Sequence, residues 1–158
     1  MKRWIRWGSV VGVGLLILGM GTGGTGTADR ENLCLPKYGA RFDGSLAPLV
    51  TRAFLEGREP LRQIRRPPQT LVVSWPRPVT IREQVIRWKD AKTFGVHYGL
   101  ERWDAERKRY VLVYEEAHNT QAVSVHTFQP FTTDRVRWTV FEHPLDYDSV
   151  YLRGFVLR

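Results

Sequence analysis

The stretch VSVHTFQPFTTDRVRWTV, Val123 to Val140, alternates cleanly in its second half. Val136, Trp138 and Val140 share one parity; Arg135, Arg137 and Thr139 share the other. A period of two belongs to a half-buried strand. Between the halves, FQPFTTD reads as a Pro-containing connection. The same texture fills the chain from Thr70 onward: TLVVSW, then VTIREQVIRW after PRP, then FGVHYGLERW with Tyr98 and Leu100 on one face. RYVLVYE, QAVSVHTF, DRVRWTVF and SVYLRGFVLR follow. About seven strands with turn-rich breaks at short spacing predict an all-β sandwich or barrel. Upstream, residues 29–45 form an opening segment with LP and DG turn signals. LAPLVTRAFLEGREPLRQIRRPPQ reads as irregular, apart from one helical turn around Thr51 to Glu56, and RRPP excludes regular structure there.

The N-terminus changes the picture. MKRWIRW carries Lys2, Arg3 and Arg6 ahead of the apolar run GSVVGVGLLILGM, and GTGGTGTA then places Gly26 and Ala28 at the −3 and −1 positions of a cleavage site. These three parts make a secretory signal peptide over residues 1–28. The run from Gly8 to Met20 is shorter than the ~20 residues a membrane span needs. An uncleaved leader is the alternative, and the only membrane attachment the sequence suggests. Residues 29–158 are then one exported domain, secreted or held in the cell envelope, and too short for two cores. The leader holds three of the 24 basic residues and none of the 16 acidic ones, which takes the formal charge of +8 down by three to +5. Cys34 is the only cysteine, so no intrachain disulfide forms and a buried thiol is expected.

Enzyme signatures are absent. No nucleophile elbow, no H-E-x-x-H zinc motif and no Cys/His cluster occurs, and no phosphate loop or dinucleotide fingerprint. His97, His118, His126 and His143 are scattered; His97 and His126 fall in strand text and are expected to be structural. Basic residues mix with acids, as in DAERKR, which argues against a nucleic-acid partner. A non-catalytic protein is expected; an enzymatic reading would need a buried carboxylate pair in a cleft, and nothing in the sequence singles one out. Trp75, Trp88, Trp103 and Trp138 all lie in strand text and are expected in the core.

In order, these phrases resemble the discoidin domain, the coagulation factor V/VIII type C fold, which includes the family 32 carbohydrate-binding modules. ENLC resembles the family's opening Asn-Leu-Ala phrase. LVVSWPRPVTIREQVIRWKD resembles its long central strands, with Ser74 and Trp75 where the family has aspartate and leucine. YGLERWDAERKRYVLVY resembles its hairpin, with Tyr110 in place of a second tryptophan. HTFQPFTTDRVRWTV and the ending VYLRGFVLR complete the series. The resemblance covers residues 31–158 and implies a galactose-binding-like jelly-roll β-sandwich. The family's structural calcium site has FLEGRE in its acidic loop here, with Glu56, and Arg153 replaces a glutamate of the last strand. A cation at a ligand position repels calcium, so no calcium or only weak calcium binding is expected and no other cofactor, and Arg153 is expected to pair with a carboxylate such as Glu56.

The resemblance also implies a ligand held on loops at one end of the sandwich. Aromatic rings stack on the apolar face of a sugar there, and a few polar groups bind its hydroxyls. Three loops are candidates: KDAKTF with Asp90, Lys92 and Phe94; EEAHNTQ with His118, Asn119 and Gln121; and FEHPLDYD with Phe141, His143 and Tyr147. Competing readings make Asn119 a turn former, Phe94 part of the next strand, and Tyr147 a cover for the core. The expected partner is an extracellular or cell-envelope glycan. The alternative is a structural or adhesive module that binds a protein or an anionic surface polymer.

Overall fold

Two strands of twenty residues organise the molecule. The computed structural model describes residues 32–59, 62–65, 67–90, 94–144 and 149–158. In chain order the strands are β1 (Arg41–Asp43), β2 (Arg62–Arg65), β3 (Gln69–Trp88), β4 (His97–Asp104), β5 (Arg109–Glu116), β6 (Val123–Glu142) and β7 (Ser149–Leu157). A single helical turn, α1 (Arg52–Leu55), precedes β2. The leader and its cleavage site lie outside the described residues.

β3 and β6 pair antiparallel along their whole lengths, Gln69 with Val140 at one end and Arg87 with Val123 at the other. Their register breaks between Ser74 and Val79, where WPRP stands. Pro76 and Pro78 have no N–H to give a ladder, so the ribbon folds over at that point. The first limb of β3 takes β1 as neighbour, and its partner limb of β6 takes β4, which takes β5. The second limb of β3 takes β7, which takes β2. The strand order is β2-β7-β3-β6-β4-β5, with β1 added on β3. This single ladder, folded on itself, makes the two layers of the jelly-roll β-sandwich. Two expectations are corrected here. FQPFTTD is continuous strand at the fold-over and not a loop, and the text ahead of RRPP includes β2, held by its ladder to β7.

The core lies between the layers. Leu71, Val73, Trp75 and Ile81 on β3 are buried with Val136, Trp138 and Val140 on β6 and Tyr98 and Leu100 on β4. A second irregularity between Ile81 and Glu83 shifts the inward parity, so that Gln84, Ile86 and Trp88 turn inward beyond it. Trp138 joins the layers: its ring centroid lies 5.0 Å from Phe155 and 6.1 Å from Trp88. Asn32 fastens the start of the domain to its last strand. Its Nδ2 donates to the Phe155 carbonyl at 2.9 Å, and its Oδ1 accepts from the Cys34 and Leu157 amides. Cys34 is free and fully buried, and burial pushes its thiol pKa far up. The helical turn around Thr51 exists as expected, with the Thr51 hydroxyl accepting from the Phe54 amide.

Trp103 is not a core residue. It shares the parity of His97, Gly99 and Glu101, opposite to buried Tyr98 and Leu100. On that outer face it packs against Tyr110, ring centroids 5.1 Å apart, and the Arg135 guanidinium lies 5.3 Å above its ring. The expected Arg153–Glu56 pair does not form. Glu56 is taken by Arg52 at 2.7 Å and by Arg58, and Arg153 is exposed. Among the described residues no group of three or more His, Cys, Asp or Glu side chains is placed to hold a metal. No helix among them is long and apolar enough to cross a membrane.

Candidate functional site

Because the β3/β6 ribbon folds over, both ends of each long strand return to one end of the sandwich. The described residues of the three loops and their flanking strand ends meet there and are stitched together by backbone. The Trp88 amide donates to Ala122, Lys89 to Tyr151, Val96 to Glu142 and Asn119 to Val96. Gly95 sits so close to the Trp88 ring that a Cβ would fall 2.7 Å from its Cη2, so only glycine fits. The loop after β3 is therefore pressed against the core.

Asn119 is the fastener of this end, and its candidacy as a ligand contact is corrected. It is 6% exposed. Its Nδ2 donates to the Gly95 carbonyl at 3.0 Å and the Gln121 carbonyl at 3.2 Å. Its Oδ1 accepts from the Gln121 amide at 3.0 Å and the Ser124 hydroxyl at 3.1 Å. Two donors and two acceptor sites are thereby used, and none remains for a ligand. Phe94 is partly buried and packs against the core cluster, which leaves it a poor platform. Lys92 and Tyr147 lie outside the described residues. Asp90 is half-buried just beyond β3. His118 and Gln121 are exposed, and His143 is half-buried with its Nδ1 3.0 Å from the Pro144 carbonyl oxygen.

Phe141 remains, 39% exposed near the end of β6. Its ring rests on His97, centroids 4.6 Å apart at 43°. The bare backbone of Gly99 lies between Phe141 and Leu112. A Cβ there would come within 3.5 Å of Phe141 Cε2 and 3.8 Å of Leu112 Cδ1. Phe141 and Leu112, both exposed, thus close over the buried Gly99 and form an apolar surface patch with an aromatic and an aliphatic part. Polar groups stand beside it: His97 Nε2 lies 2.5 Å from Glu115 Oε1, and Glu142 Oε1 lies 4.0 Å from His97 Nδ1. His97 and Glu115 were missed as site residues. Their strand parity, shared with exposed Phe141 across the β4–β6 ladder, was the available signal.

A second polar cluster is interior. The Tyr98 hydroxyl lies 3.0 Å from His126 Nε2, and the Tyr114 ring stacks on His126 at 4.2 Å. Burial pushes the Tyr98 phenol up to about 12 and His126 down, while Glu116 pulls His126 the other way. Tyr98 is therefore the donor and neutral His126 the acceptor. Tyr114 also donates to Gln84 Oε1. This network is structural, as expected for His126.

No protein-family model matches the chain, and no curated protein matches it in sequence. Solved structures do match in fold. A family 32 carbohydrate-binding module from Streptococcus pneumoniae EndoD superposes with TM-score 0.66 at 14% identity, over 80% of this chain and 98% of that one. Chitosan-binding module 1 of a chitosanase/glucanase from Paenibacillus sp. IK-5 gives 0.61 at 17% identity, over 80% and 98%. The family 32 module of Clostridium perfringens NanJ, in complex with galactose, gives 0.56 at 12%, over 78% and 96%. The chain thus has the β-sandwich fold of these modules.

Proposed function

We propose that this chain is an exported, non-catalytic module, a single domain over residues 29–158, that binds carbohydrate beside the loop end of its sandwich. The observation that carries the reading is the exposed Phe141 ring next to Gly99, Leu112 and the His97–Glu115 pair. A ring face and a short aliphatic wall suit the apolar face of a pyranose; a carboxylate and an imidazole suit its hydroxyls. The fold neighbours support it, since modules of this shape are described in complex with galactose, with GalNAc-β-1,3-galactose and with chitotriose. The leader directs the domain out of the cytoplasm, so the partner is an extracellular or cell-envelope glycan. The membrane is touched only if the leader stays uncut.

A broad glycan array, run with and without calcium, tests this. Selective binding to a set of related sugars is expected. Phe141→Ala should weaken it at least tenfold without changing the melting temperature, and Glu115→Gln should weaken it less. A blank array from folded protein sinks the reading. The arginines stacked on the outer face, Arg137 over Tyr110 at 4.2 Å and Arg135 over Trp103, would then favour a protein or anionic-polymer partner. That mode fails at 0.5 M salt, where screening acts over about 4–5 Å; sugar stacking does not.

A further inference from the structure

Arg102 is a cation on the wrong face. It follows Tyr98 and Leu100 at two-residue spacing on β4, and it pairs with fully buried Val136, so its side chain leaves the strand on the core side. It is half-buried. Among the described residues its side chain makes no hydrogen bond and no ion pair; only the Asp104 carboxylate senses its charge through space. No guanidinium nitrogen of Arg102 is among the enclosed unpartnered polar atoms: the stem runs along the core side and the charged end reaches solvent with no anion of the described residues on it.

Arg102 lines a groove of about 410 Å³ that opens between β5 and the fold-over of β6. Its other walls are Leu112 from β5 and Phe128, Pro130, Phe131 and Thr132 from β6. Phe128 is fixed from behind by Tyr114, stacked at 6.0 Å and 16°, and Phe131 lies 5.5 Å from Phe128. The volume falls in the range of small-ligand sites. The groove is set on the fold-over, away from the three loops at the other end.

We propose that this groove is a second ligand site, and that its ligand is a carboxylate-bearing sugar residue of an acidic glycan. The guanidinium fork matches a carboxylate bidentately. The paired phenylalanines and Pro130 offer an apolar wall of one-ring size, and the groove opens to solvent, so a residue within a longer chain can enter. Leu112 borders both this groove and the Phe141 patch, but Arg102, Phe128 and Phe131 belong to the groove alone, which makes binding there separable from binding at Phe141. Each can fail without the other.

The test uses the purified full chain and two probes, trigalacturonate and a neutral galacto-trisaccharide, read by calorimetry and by NMR of backbone amides and Arg Nε–H groups. Trigalacturonate should shift the Arg102 Nε–H signal and the amides of residues 128–132. Arg102→Gln should weaken that binding at least tenfold while leaving the neutral probe unaffected, and Phe141→Ala should do the reverse. The proposal is overturned if folded protein binds no trigalacturonate, or if the shifts map elsewhere. It is also overturned if Arg102→Gln binds the acid as tightly as wild type, or alters only self-association. The wild-type shift map decides the question even if the variant misfolds.

Discussion

Replacing Asn119 with alanine separates two roles that this residue type plays on a binding loop. Its four side-chain hydrogen bonds join the loop after β3, the β5–β6 loop and the start of β6. Gln121 is exposed enough for water to replace what it loses. Gly95 and Ser124 are buried, so their carbonyl and hydroxyl are left without partners. Each such orphan costs ~1–2 kcal/mol, which makes the expected loss ~2–4 kcal/mol. A domain of this length has an unfolding entropy near 0.27 kcal/mol/K, so the melting temperature should drop by ~7–15 °C. Thermal and urea melts measure it, and the urea midpoint should fall with an unchanged slope. Sugar affinity should fall only as far as the loops loosen, and Asn119→Asp should not restore the stability, because a buried carboxylate oxygen would face the Gly95 and Gln121 carbonyls. An alanine variant with wild-type melting and no sugar binding would refute the reasoning and return Asn119 to the ligand.

Two further outcomes follow from burial and charge. Trp138→Ala empties the junction between the layers and should cost ~3–5 kcal/mol, whereas Trp103→Ala removes a partly buried ring on the outer face and should cost less, ~1–2 kcal/mol; equal losses in chemical denaturation would contradict the assignment of faces. His126 is held neutral, its pKa depressed by burial below the ordinary 6.5. Its contribution is therefore present above pH 6.5 and is lost as pH falls through the lower, folded-state value. Stability measured from pH 7 down to pH 5 should decline, and His126→Gln should flatten that part of the profile; an unchanged profile in the variant would assign the decline to other groups.

What the sequence disclosed, and what it hid, divides along one physical line. Strand parity is local, and it placed Val136, Trp138 and Val140 inward correctly. The same rule, applied to β4, puts Trp103 outside with His97, Gly99 and Glu101; the general preference of tryptophan for cores overrode a signal already present in the text. FQPFTTD misled because proline ordinarily ends a strand. Here Pro130 lies in β6 close to where the β3–β6 ladder folds, and the strand runs on. β2 was hidden by its four residues of Arg-rich text and is defined only by its distant partner β7. Asn119 and Arg102 lie further beyond reach. The role of Asn119 depends on Gly95, 24 positions away. Arg102 carries the parity of a core residue, and sequence alone gives no reason for a charge there. The groove it lines exists only because β6 folds over and brings Phe128 and Phe131 opposite β5. The fold was thus legible from parity and order. The proposed sites were legible only where an exposed aromatic, Phe141, already broke the pattern of burial, and the other residues proposed for them depend on how the loops and the fold-over are brought together.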